Sequence, residues 1–272
     1  MLRTVLVTGA NSGVGLETAL HLAGLGFGVV GTVRSDDKAE LLAKAASEAG
    51  VPVETAVLDV TDGARSEGLV RELEPWAVVN NAGYMNLGQV VDVPAEDALL
   101  QLDAMVVAPM RLATLAVPAM RRRGEGRIVN VSSVAARVTA AMSGWYQASK
   151  HGLSAVTDAL RREVGADGID VVLVEPGALS TAIWDKAADE LRRRRQTSAS
   201  PVSYDRSLRI LQAARSHMAP PSVVAEVIGT ALTAGRPRAR YPVGPGATAV
   251  PLAEAVVPER LRDRLARAVL GE

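Results

Sequence analysis

The chain has 272 residues, 48% hydrophobic, with 30 basic and 30 acidic side chains and a formal net charge of zero, which gives no electrostatic reason for a nucleic-acid or acidic-membrane partner. The absence of Cys excludes disulfides, thiol nucleophiles and most zinc sites, and His21, His151 and His217 stand singly, so no metal site is expected. There is no run of 18 apolar residues and no leader-like start, so a cytoplasmic location with no membrane partner is expected.

The first apolar run, TVLVTG (4–9), reads as a strand that opens into TGANSGVG (8–15) and a helical pattern over 11–26. Gly9, Gly13 and Gly15 let the backbone turn tightly and approach a pyrophosphate, which the positive end of the following helix attracts. The spacing is Gly-x-x-x-Gly-x-Gly, and a simple tight turn is the competing reading. GFGVVGTV (26–33) is the second strand and ends in Val33 and Arg34; Asp36 and Asp37 fall in the first turn of the next helix, SDDKAELLAKAASEAG. A basic residue at this point suits the 2′-phosphate of NADP(H), so NADP(H) is preferred, with NAD(H) as the alternative. The third strand is VETAVLDV (53–60), followed by helical SEGLVRELE; the fourth is AVVNNAG (77–83), followed by a long helical segment at 95–123. GRIVNVSS (126–133) is the fifth, a helix follows at 146–165, IDVVLVEPG (169–177) is the sixth and RARYPVG (238–244) a candidate seventh.

Strand–helix alternation, with strands apolar on both faces, predicts an α/β fold built on a doubly wound parallel sheet of about seven strands with helices on both faces. No linker divides the chain, so residues 1–272 read as a single dinucleotide-binding catalytic domain. Only the stretch at about 182–222 breaks the rhythm, and it reads as an excursion over a site. Its RRRRQ run (192–196) is expected to be a solvated helix face, with steering of an anionic substrate or cofactor phosphate as the alternative, and MRRRGEG (120–126) a helix C-terminus, where Arg suits the dipole.

YQASK (146–150) sets Tyr146 and Lys150 one helical turn apart on a shared face, in a chain with only four Lys. A nearby cation favours the phenolate and lowers a Tyr pKa, so the pair reads either as a tuned proton donor or as an accident of a surface helix. The order of the signatures decides. TGANSGVG, LDV (58–60), NNAG (80–83), VSS (131–133), YQASK and EPGALST (175–181) together resemble the short-chain dehydrogenase/reductase family over essentially the whole chain.

The resemblance implies an NAD(P)-dependent oxidoreductase with a Rossmann-like sheet. It makes Tyr146 the general acid/base, Lys150 the group that lowers the Tyr146 pKa and holds the nicotinamide ribose, and Ser133 the hydrogen-bond partner of the substrate oxygen, with Ser132 as the adjacent alternative. The cofactor would be held by Gly9, Asn11, Ser12, Gly13, Val14 and Gly15, by Arg34, by Asp59 and Val60 at the adenine, and by Asn81, Ala82 and Gly83. Pro176, Gly177, Leu179 and Thr181 would hold the nicotinamide end. The family commonly pairs through the helices here at 95–123 and 146–165, which implies a homodimer or homotetramer.

One position departs from the family pattern. Met105 stands where the family carries an Asn that completes a proton relay, and a thioether cannot replace a carboxamide. Three readings compete: a relay through water at the carbonyl of residue 105, which loses its helical donor to Pro109; another polar side chain such as Asn86 or Ser143; or chemistry other than ordinary carbonyl reduction.

Among eight aromatic residues, Tyr84, Trp145 and Trp184, with Met85, Met142 and Ile183, form a candidate apolar pocket for a small-molecule substrate. A flat or bulky ketone of polyketide, steroid-like or retinoid-like type fits it. Ketone reduction or the reverse oxidation is the leading function. Epimerisation, dehydration or rearrangement with the cofactor retained, and a nucleotide-binding sensor without turnover, are the alternatives.

Overall fold

A computed structural model describes residues 2–270. Seven strands, β1 (Thr4–Thr8), β2 (Gly28–Val33), β3 (Val53–Val57), β4 (Ala77–Asn80), β5 (Gly126–Val131), β6 (Ile169–Pro176) and β7 (Arg240–Val243), form one sheet ordered β3-β2-β1-β4-β5-β6-β7. Every pairing is parallel. The order reverses direction between β1 and β4, so the crevice for a ligand opens at the carboxyl ends of those two strands.

Alternation along each strand divides the core. Val5 and Val7 point to a layer formed by α1 (Gly13–Gly24), α2 (Asp36–Ala49) and α9, the helix at Ser222–Thr233. Leu6, Val78 and Ile128 point to the other face, covered by α3 (Gly63–Leu73), α5 (Ala108–Arg123) and α6 (Gly144–Val164). The strands end earlier than the apolar runs suggest. NNAG leaves the sheet after Asn80 because Thr8 Oγ1 accepts from the Asn81 and Ala82 N–H groups, each at 3.0 Å, and turns the chain toward the crevice.

The long helical segment is in two parts, α4 (Ala95–Leu102) and α5, joined by a π-helical turn at Asp103–Val107. The Ala108 N–H reaches back five residues to Asp103 O. Pro109 has no N–H to continue the regular ladder, which accounts for a widened turn here. Residues 95–123 are long and apolar enough by composition to cross a membrane, a feature that the search for unbroken apolar runs passes over. In the fold, 44% of the most apolar window is buried and α5 packs on α3 and the sheet.

The excursion is helical: α7 (Ile183–Arg195) and α8 (Pro201–Ala214) form a small core of their own with Leu87 and Met142. Two further helices, α10 (Ala249–Val256) and α11 (Glu259–Leu270), follow the sheet. The reading of 192–195 as a solvated face needs correction. Arg192, Arg193 and Arg195 are exposed and pair with Asp189, Glu190 and Asp205, but Arg194 is only 6% exposed. Its guanidinium donates to Asn86 Oδ1 at 2.6 Å, Asp97 Oδ2 at 2.7 Å and Asp92 O at 3.0 Å. The fully buried Tyr204 of α8 donates to Asp92 Oδ2 at 2.7 Å. Burial and the Asp92 carboxylate push its phenol up to about 12. Together these two side chains fasten the excursion to the segment between β4 and α4.

Candidate active site

The glycine turn after β1 is shaped by close approach. Gly9 has φ +68, and a Cβ there would meet Ala82 Cα at 3.0 Å. A Cβ on Gly15 would lie 2.1 Å from Gly9 O and 2.5 Å from Asn81 Nδ2, so only Gly lets α1 start against the turn. Asn81 Nδ2 in turn donates to Thr8 O at 2.9 Å, which makes its amide a clamp between the ends of β1 and β4. Ser12 precedes α1 with extended backbone and makes no side-chain cap, and the first turn of α1 contains no acid. Its N–H groups are thus open to an anion.

Beside this turn lies a cavity of about 1300 Å³. Gly9, Asn11, Ser12, Gly13 and Val14 line one end, with Arg34 at the end of β2 and Asp59 and Val60 after β3. Asp59 is held below the usual carboxylate range, chiefly by hydrogen bonds from Thr61 and in small part by the Arg34 charge. Asn81, Ala82 and Gly83 form the middle, with Pro176, Gly177, Leu179 and Thr181 across from them. Gly15 is not in the wall; it sits behind the turn as the packing contact just described. Lys38, in the first turn of α2, lines the same end as Arg34. Lys38 directly follows SDD in the sequence, and no motif marks it.

Tyr146 and Lys150 lie on the buried face of α6 and both border the cavity. Lys150 Nζ stands 5.9 Å from the Tyr146 ring centroid and donates to Val131 O at 2.9 Å. The expected lowering of the Tyr146 pKa is absent from this arrangement. Burial pushes the phenol above its ordinary value, and a hydrogen bond with Ser133 offsets part of that. Burial likewise pushes Lys150 down to about 8. Loss of hydration outweighs the ammonium here, because Lys150 is turned to the Val131 carbonyl. Burial thus favours the protonated phenol at Tyr146.

The two serines of VSS face different ways. Ser132 Oγ is 3.4 Å from Ser154 Oγ of α6, and its N–H donates to Val174 O as an extension of the sheet. Ser133 Oγ accepts from the Ala135 N–H at 3.1 Å, lies 3.5 Å from Pro176 O and is the serine near enough to Tyr146 to favour its phenolate.

Met105 is buried in the wall, and its Sδ accepts from Gln101 Nε2 at 3.5 Å, while Ser149 Oγ, 3.7 Å away, donates to Tyr146 O at 2.7 Å. Of the substitutes considered for the missing Asn, Asn86 is engaged by Arg194, and Ser143 donates to Ala140 O at 3.1 Å. The remaining wall is mainly apolar: Tyr84, Met85, Met142, Ile183 and Trp184 all contribute. Trp184 is oriented by an Nε1–H donated to Leu179 O at 2.7 Å. Met142 holds φ 68, an uncommon left-handed conformation, with its carbonyl bound by the Gly88 N–H at 2.8 Å. Trp145 is not in the wall, since adjacent helical residues point about 100° apart. Leu191, Ile210 and Leu211 of the excursion and Leu265 of α11 complete the wall, and no local motif announced them.

The residues fit a dinucleotide on structural grounds: a glycine turn that a Cβ would fill, an uncapped helix start, and two cations, Arg34 just after β2 and Lys38 in the first turn of α2. A family model described as short chain dehydrogenase matches residues 3–192. An NADPH-dependent 3-dehydrocapnine reductase of Ornithobacterium rhinotracheale is 29% identical over 97% of this chain and 96% of its own. The uncharacterized oxidoreductase YbbO of Escherichia coli strain K12 is 32% identical over 97% of this chain and 94% of its own. The solved structure of an actinorhodin polyketide ketoreductase with NADPH superposes with a TM-score of 0.72 at 30% identity, covering 91% of this chain and 92% of that one.

Proposed function

The chain belongs to the short-chain dehydrogenase/reductase family of oxidoreductases, and from that premise we propose that it reduces a ketone on a bulky apolar substrate with NADPH. The observation that carries this reading is the meeting of Ser133, Tyr146 and Lys150 at the border between the glycine-turn end of the cavity and its apolar end. NADPH is favoured over NADH by Arg34 and Lys38, and by the NADPH named for the capnine-related and polyketide relatives.

Bound at this place, the dihydronicotinamide supplies a hydride. Tyr146 donates its proton to the substrate oxygen; burial keeps the phenol protonated but weakens it as an acid, so the transfer depends on groups that stabilise the phenolate. Ser133 donates a hydrogen bond to the same oxygen. The Lys150 ammonium stabilises the phenolate that the transfer leaves on Tyr146. Residues 182–222 serve as the lid over the apolar end, and the 1–272 chain works as one domain.

The small-molecule reaction fits a cytoplasmic homodimer or homotetramer. Exposed Leu99, Leu100 and Val107 on α4 and the turn after it support pairing there. A second reading, net non-redox chemistry with the cofactor retained, draws on Met105 in place of the relay Asn. NADPH consumption with a panel of apolar ketones separates the two, since product without consumption would favour the second.

Arg34→Asp is expected to shift the NADPH-to-NADH preference in kcat/KM by at least tenfold toward NADH, in line with a charge-assisted contact of about 1.5–3 kcal/mol. Unchanged selectivity would remove Arg34 from the cofactor site. The pH profile provides a further check. A buried cation loses its proton at lower pH than an exposed one, so the Lys150 charge is present below about pH 8 and lost above it. Reductive kcat/KM should fall as pH rises through that value. Tyr146 stays protonated there, so the falling limb reports Lys150. Lys150→Arg should move it to higher pH, and an unmoved limb would assign it to another group.

A further inference from the structure

The two helices after the sheet leave much of their apolar surface uncovered. Leu252 and Val256 of α10 are 60% and 76% exposed, Leu261 and Leu265 of α11 are 46% and 56% exposed, and no residue of α10 is buried. This surface adjoins the cavity: α11 packs on α8, and Leu265 and Ala266 border the opening together with Ile210.

Arginines flank the leucines. Residues 259–267 contain Arg260, Arg262, Arg264 and Arg267 against Glu259 and Asp263. Arg262 pairs with Glu254 of α10 and ties the two helices together. Arg260, Arg264 and Arg267 are exposed, recur at helical spacing and form no ion pair among the described residues. Their stripe lies about 100° round the helix from Leu261 and Leu265, on the adjoining face. An apolar strip edged by unneutralised arginines is complementary to a surface with negative charge outside and hydrocarbon beneath.

We propose that α10 and α11 dock on an anionic lipid bilayer, with Leu252, Val256, Leu261 and Leu265 in the headgroup layer and the three arginines against lipid phosphates. The mouth of the cavity then faces the phase into which an apolar ketone partitions. The docking stands on the exposed face itself and is independent of which ketone is reduced. A second copy of the chain is a poorer occupant, because a two-fold contact through this face brings basic stripe to basic stripe.

The test is flotation of the full chain with vesicles of phosphatidylcholine alone or mixed with phosphatidylglycerol. Binding to the mixed vesicles, weakened by salt, is expected. Arg260→Glu with Arg264→Glu should weaken it by roughly thirtyfold or more. Leu252→Glu with Val256→Glu should also release the protein, while NADPH binding, followed by cofactor fluorescence, stays at the wild-type level. Absence of flotation with mixed vesicles, or binding that neither pair of substitutions weakens, overturns the proposal. So does self-association in velocity sedimentation that the Glu substitutions disperse, if no vesicle binding accompanies it; in that case a second copy covers the face.

Discussion

Tyr146→Phe is expected to lower kcat for ketone reduction by about a thousandfold, within the range of a positioned general acid, while leaving NADPH affinity within about twofold. The phenyl ring keeps the packing of the buried face of α6 and removes only the hydroxyl that Ser133 contacts. Loss of rate without loss of binding separates a proton donor from a structural tyrosine. Steady-state kinetics and a fluorescence titration of NADPH on the same preparation measure both. Turnover retained within tenfold would mean that another group supplies the proton, and the mechanism proposed above would fail. Ser133→Ala offers a graded companion: a smaller loss in kcat, since the donor remains.

Arg194→Ala is expected to destabilise the fold by about 2–4 kcal/mol, through the loss of several hydrogen bonds from one buried charged donor. The side chain meets Asn86, Asp92 and Asp97 at once, and Glu190 Oε2 stands 3.6 Å away. Its removal leaves the part-buried Asp97 without its cation. The neighbouring space is tight as well: a Cβ on Gly88 would lie 2.7 Å from Arg194 Cδ. In a chain of this size the loss corresponds to a fall in Tm on the order of 10 °C, read by calorimetry. Substitution of the exposed Arg193 is expected to move Tm very little, as is usual for surface pairs. Equal effects at the two positions would contradict the latch. Because α7 and α8 carry part of the cavity wall, Arg194→Ala should also raise KM for a bulky ketone more than for a small one.

Much of the fold was legible in local patterns. The alternation of faces in β1, with Val5 and Val7 to one layer and Leu6 to the other, both buried, follows from the continuous apolar run that marks the strand. The glycine turn, Arg34 at the end of β2, and Tyr146 and Lys150 on one face of α6 were each readable because their neighbours in sequence are their neighbours in space. Residues brought in by the lid and by α11 had no such signal. Ile210 and Leu265 are ordinary apolar positions of amphipathic helices until those helices are seen to border the cavity.

The amino-acid sequence by itself determined the sheet, the turn that can receive a phosphate and the shared helix face of Tyr146 and Lys150. These depend on periodicity, glycine geometry and spacing within one element. Tertiary structure alone decided which arginine of four is buried, that Trp145 is turned out of the wall, and that burial raises the Tyr146 pKa. Each of those depends on desolvation and on partners far away along the chain, as Arg194 and Asp97 are at 97 positions apart. The free energy of a buried charge is set by what surrounds it in space, and a linear pattern does not carry that information.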